Sequence, residues 1–136
     1  MAKNRKYSGV PYTLPLNKCT AEDARASNKA LSGDPVVIGQ LPGVALIDAD
    51  SGAKAVVQTD GIFELLVAGV DSSGVSAADA NVAVNGGDIV YFDKTKAPPL
   101  SKRAGGIRFG YAFGDTGVEL VASGVLTTKC NVKVGY

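Results

Sequence analysis

Histidine is absent from the 136 residues, which removes the commonest general base and the commonest metal ligand together. Cysteine occurs twice, at Cys19 and Cys130, too few for a thiolate metal site. The two could pair if their strands were neighbours, but spacing does not show it, and two small apolar fillers in a reducing cytosol is the plainer reading. No Gly-x-Ser-x-Gly elbow occurs. Asp48-x-Asp50-x-Gly52 has the start of a calcium loop, yet its glycine falls one position early and Thr59 stands where the bidentate glutamate belongs, so it reads as a turn. Gly69 to Ser76 has the glycine spacing of a phosphate-binding loop with Val75 at the lysine position, which removes the charge that meets the β- and γ-phosphates, so it reads as a flexible loop. Lys94, Lys96, Lys102, Arg103 and Arg108 form a local basic cluster. A solvated loop, a contact with an acidic protein surface and a phosphate contact all fit it, but apart from Phe109 no aromatic is interleaved for base stacking. The carboxylates are scattered through turns, so no catalytic, cofactor-binding or metal site is assigned.

The elements that would carry these residues are short strands. Gly33 to Ile47, GDPVVIGQLPGVALI, reads as strand, turn, strand, and the rest of the chain looks organised around it. Pro35 sits where a missing N–H costs least, Val36 to Ile38 are β-branched, and two glycines and a proline let the chain reverse between Gly39 and Gly43. Gly87-Asp88-Ile89-Val90-Tyr91-Phe92 and Phe109-Gly110-Tyr111-Ala112-Phe113 echo its two halves, with an insertion from Asp93 to Gly106 between them. Duplication of a β-unit and coincidence in a glycine-rich β protein both explain so loose an echo.

Residues 1 to 6 are polar and basic and read as a loose arm. Tyr7 to Leu16 alternates, and Pro11 and Pro15 make it an edge strand or an arm on another surface. Thr20 to Leu31 has weak helical spacing and reads as one or two surface turns or a mobile loop. Strands are expected over 54–59, 62–67, 89–92, 107–113, 118–126 and 131–136, with one helical turn around Ser76 to Ala80 capped by Ser76. Asp93 to Gly106, with Pro98-Pro99, is expected to be an extended, exposed basic loop. About nine strands without a βαβ rhythm predict an all-β fold, a small β-barrel or barrel-like sandwich with an extended N-terminal segment and long surface loops.

At this length the chain is expected to form one domain over 1–136, with residues 1–31 as arm and linker and 32–136 as the barrel core. Net charge is +1, so no global field draws the chain to nucleic acid or membrane. No apolar run approaches the ~18 residues of a membrane span, and no apolar stretch follows the basic N-terminus as in a secretory signal.

GDPVVIGQLPGVALIDAD, followed by Val56-Val57-Gln58-Thr59-Asp60-Gly61-Ile62-Phe63-Glu64-Leu65, resembles the small capsid cement, or head decoration, proteins of tailed phages. Met1-Ala2-Lys3-Asn4, Gly87 to Asp93 and Gly110-Tyr111-Ala112 also fit, and the resemblance runs from about Ser32 onward. Residues 17–31 are longer than the usual link, and the 93–106 insertion looks particular to this chain. Some family members carry a recombinase-like label, against which Val75 and the lack of an α/β pattern speak here. The resemblance implies a structural protein and no enzyme: a barrel-like subunit on the outer surface of an assembled head, commonly a homotrimer, partnered by the major capsid protein and by itself, with no cofactor, nucleic acid or membrane. Candidate contacts are then Lys3, Arg5, Lys6, Tyr7 and Tyr12 in the N-terminal segment and Lys94, Lys96, Lys102 and Arg103 in the basic loop. The alternative is a tail- or host-facing module for carbohydrate or protein, for which tryptophan is absent and aromatics are 7% of residues.

Overall fold

The computed structural model describes residues 12–15, 30–48 and 54–135. Its strands are β1 (Tyr12–Pro15), β2 (Pro35–Ile38), β3 (Leu41–Ala45), β4 (Lys54–Gln58), β5 (Ile62–Ala68), β6 (Val70–Asp71), β7 (Ala80–Asn81), β8 (Val84–Asn85), β9 (Ile89–Phe92), β10 (Leu100–Ser101), β11 (Ile107–Ala112), β12 (Glu119–Val121) and β13 (Lys129–Val134). The described residues are all-β apart from one 3-10 turn. Strands β10-β5-β13-β11-β9 close a barrel, and β1-β4-β3-β2 form a separate sheet in that order.

The period of two expected near the end of the chain is plain in β13. Cys130, Val132 and Val134 are buried, while Lys129, Asn131 and Lys133 between them are exposed. β13 pairs antiparallel with β5 from Lys129↔Leu66 to Lys133↔Ile62 and with β11 on its other side. The barrel interior holds Val67, Val90, Leu100, Phe109 and Val132, none with any exposure. The rings of Phe92 and Phe109 stack there with centroids 6.3 Å apart.

The echo noted in the sequence is a repeated three-stranded unit, β2-β3-β4 and β9-β11-β13. Gly33 and Gly87 both have φ +91, a conformation that L side chains avoid. The carboxylates of Asp34 and Asp88 accept from the amides of Leu31 (2.9 Å) and Asn85 (2.8 Å). Gly33 and Gly87 donate to the carbonyls of Ala45 (2.7 Å) and Ala112 (2.8 Å), and these alanines donate back to Asp34 (2.9 Å) and Asp88 (2.8 Å). The third strands match as well: Leu46 donates to Val56 at 2.9 Å, and Phe113 donates to Asn131 at 2.7 Å.

The 33–47 stretch is therefore one copy of a unit and lies outside the barrel, so it is not the element around which the barrel closes. Its hairpin reverses at Gly39-Gln40, and Leu41, Pro42 and Gly43 belong to β3, not to the turn. One face of this sheet, Val37 and Val44, joins the barrel core, while Val36, Ala45 and Val57 pack with Ala30 in a second cluster. β1 is an edge strand antiparallel to β4, a position that suits its Pro15.

Three further expectations are corrected. The 93–106 segment is not exposed throughout: Pro98 and Pro99 are buried, and Leu100-Ser101 become β10, which pairs parallel with β5 and antiparallel with β9 to close the barrel. Apolar Pro-Pro-Leu between charged runs carries the chain inward, and Asp93 donates its amide to the Pro99 carbonyl at 2.9 Å. The strand expected over 118–126 shrinks to β12, paired with β8, because the chain turns at Gly124 (φ +76), which donates to Gly69 at 2.8 Å. The helical turn at 76–80 is a 3-10 turn over Val75–Ala77 without a side-chain cap. The expected turns over 20–29, the 49–53 segment and residues 1–11 lie outside the described residues.

Candidate interaction surface

The basic cluster divides by fate. Asp93 closes a turn: the Thr95 amide and hydroxyl both donate to its Oδ1, at 2.9 and 2.7 Å, and the Lys96 amide donates to its carbonyl at 3.2 Å. Partial burial raises the Asp93 pKa, but the Thr95 bonds and the charges of Lys96 and Arg103 outweigh it and hold the carboxyl below its ordinary value. The turn leaves Lys94 exposed, and Lys96 at 43% side-chain exposure lies 3.7 Å from Asp79. A cavity of about 240 Å³ opens beside this turn between Phe92 and Ile107.

Lys102 and Arg103 face inward. Lys102 donates its backbone amide to Val70, and its ammonium reaches Asp88 Oδ2 at 2.8 Å and the Ala83 carbonyl at 3.3 Å. It thereby ties the end of β10 to the Gly87-Asp88 turn. Arg103, 8% exposed, forks onto Asp79 with Nε at 2.7 Å from Oδ1 and Nη2 at 2.9 Å from Oδ2, and Nη1 reaches the hydroxyl of buried Ser101 at 3.3 Å. The Arg103 bond holds Asp79 below the usual carboxylate range. Arg108 bonds the Tyr111 hydroxyl, and its guanidinium lies 5.1 Å from the centre of that ring. Lys3, Arg5, Lys6 and Tyr7 lie outside the described residues, and Tyr12 opens β1 opposite Val57.

The glycine-spaced loop from Gly69 to Ser76 is the β6–β7 hairpin, and its polar groups bond one another. Asp71 Oδ1 accepts from the Ser73 amide (2.9 Å) and hydroxyl (2.6 Å), which lowers its pKa, while Gly74 donates to the Ala78 carbonyl at 3.0 Å. It is a closed, bonded turn, with no strand–loop–helix setting for a phosphate. At its tip Val75 is 91% exposed, the most exposed large apolar side chain among the described residues. Sequence reasoning weighed Val75 only as a missing lysine; the usable signal was a β-branched residue set alone between glycine and serine.

Asp48, from the candidate calcium loop, accepts the Ser32 amide at 2.8 Å, while Asp50 and Gly52 lie outside the described residues. Cys130 is a buried free thiol whose pKa burial pushes up to about 11. Among the described residues no helix is long and apolar enough to cross a membrane.

No curated protein and no solved structure matches the chain significantly. A family model described as phage cement protein matches residues 20–126, more than half of the chain and four of the five barrel strands, with β13 beyond its end. Strands β2 to β12, both Gly-Asp turns and the β6–β7 hairpin fall within that match, and the chain belongs to the phage cement protein family.

Proposed function

We propose that this chain binds the outer surface of an assembled phage head and stabilises it, with the major capsid protein and its own copies, as a homotrimer, for partners. The observation that carries the proposal is the family match over residues 20–126. The barrel suits the role physically. Closure removes barrel edges that would otherwise template aggregation, and it leaves turns as the surfaces that meet a partner. A protein that binds the assembled shell and not its loose subunits stabilises the assembled state by mass action, and contacts repeated over copies multiply weak affinities.

Within the proposal, Lys94 and Lys96 present charge to the shell, and Lys3, Arg5, Lys6, Tyr7 and Tyr12 of the N-terminal segment are further contacts. Lys102 and Arg103 hold that surface in shape from beneath. The test is head stability. Heads lacking the protein are expected to release their contents at a lower temperature, and added purified protein to restore the higher temperature saturably. Heads whose stability is indifferent to the protein would contradict the proposal.

A further inference from the structure

The β6–β7 hairpin tip combines three features that its fold does not require. Val75 points away from the protein and is 91% exposed, so it contributes nothing to the core. Ser76, beside it, has φ 59, and among the described residues it is the one non-glycine residue in the left-handed region. Such a conformation is uphill for serine and persists only where its surroundings fix it. Those surroundings are a brace: Asp71 bonded to Ser73, Gly74 to Ala78, and Asp79 gripped by the buried Arg103 fork. A Cβ on Gly74 would lie 2.5 Å from the Ala78 carbonyl, so the closure also depends on glycine there.

We infer that the Ser72–Ala78 tip is a preformed uncharged peg, with Val75 as its apolar anchor, that docks into a small uncharged recess on the assembled shell. The inference rests on the cement reading. No residue from Ser72 to Ala78 is charged, so the partner patch it fits is uncharged as well, unlike the acidic surface that Lys94 and Lys96 would meet. Bracing in advance keeps the ordering cost of docking low. A tip of this size buries far less than the roughly 1,200–2,000 Å² of a stable two-chain interface. It therefore suits a lattice that repeats the contact over many copies better than it suits a second copy of this chain.

The experiment measures binding of wild type and Val75→Asp to heads that lack the protein, with sedimentation of each protein alone. The aspartate variant is expected to fold and sediment as wild type, because the side chain it replaces is exposed. Loss of a buried valine contact predicts binding weaker by about tenfold to a hundredfold. Wild-type binding with an unchanged Val75→Asp would overturn the peg and leave the cement reading standing. A change in oligomer size for Val75→Asp would assign the tip to self-association and overturn the shell contact. Failure of wild type itself to bind would overturn both.

Discussion

Arg103 and Asp79 form an asymmetric ion pair, and the asymmetry orders the consequences of losing either partner. The guanidinium side chain is 10% exposed and cannot shed its charge, whereas the carboxylate side chain is 37% exposed and can turn to water. Asp79→Ala is therefore expected to cost about 2–3 kcal/mol and Arg103→Met about 1–2 kcal/mol, both by urea unfolding, since breaking a pair hurts most where it strands a buried charge. Equal costs, or the reverse order, would contradict the geometry. Asp71, Asp79 and Asp93 all sit below the ordinary carboxylate value of 3.8. A carboxyl depressed in the folded state binds its proton less readily there than when unfolded, so its stabilisation is complete above the ordinary value and is lost as pH falls from there through the lower folded-state value. Stability is expected to hold from neutrality to about pH 5 and to fall below about pH 4; Asp79→Asn should flatten part of the fall. At Cys130, burial predicts a silent thiol: in a Cys19→Ser background, a thiol reagent at pH 8 is expected to react only after denaturation. None of these roles was legible in the sequence. Arg103 looks like its basic neighbours, and its partner lies 24 residues away.

The elements were legible where a pattern ran long enough to show a period. The alternation of β13 and the β-branched run of β2 are such patterns, and both formed strands. β10 was not legible, because two residues carry no period and the prolines before them read as loop. Yet β10 is what closes the barrel, with Leu100 fully buried at the junction of β5 and β9. Leu100→Ala is expected to cost about 2–5 kcal/mol, measured by chemical denaturation, while Lys94→Ala should cost under about 0.5 kcal/mol. Similar values for the two would mean that the segment does not close the barrel. The repeated Gly-Asp units carry a matched expectation. A Cβ at Gly33 or Gly87 meets no atom within 4 Å, so alanine at either site should cost only the backbone term, about 1–2 kcal/mol, and about equally at both.

At the scale of the molecule, the all-β class and the barrel followed from many short strands and turn residues, and the family followed from motifs in order along the chain. How the two Gly-Asp units differ did not. β2 and β3 are joined by Gly39-Gln40, whereas β9 and β11 are joined by residues 93–106, and that longer connection supplies the closing strand. A sheet and a closed barrel thus arise from one repeated unit, and the insertion that looked like an added surface loop is half surface and half core. The surface that remains, the Lys94–Lys96 turn and the β6–β7 tip, is where the proposed contact with a shell would be read. Cosedimentation of the purified protein with heads that lack it, alongside free capsid subunits, tests that most directly. Saturable binding to heads with none to free subunits is the result expected of a cement protein; equal binding to both, or to neither, would contradict it.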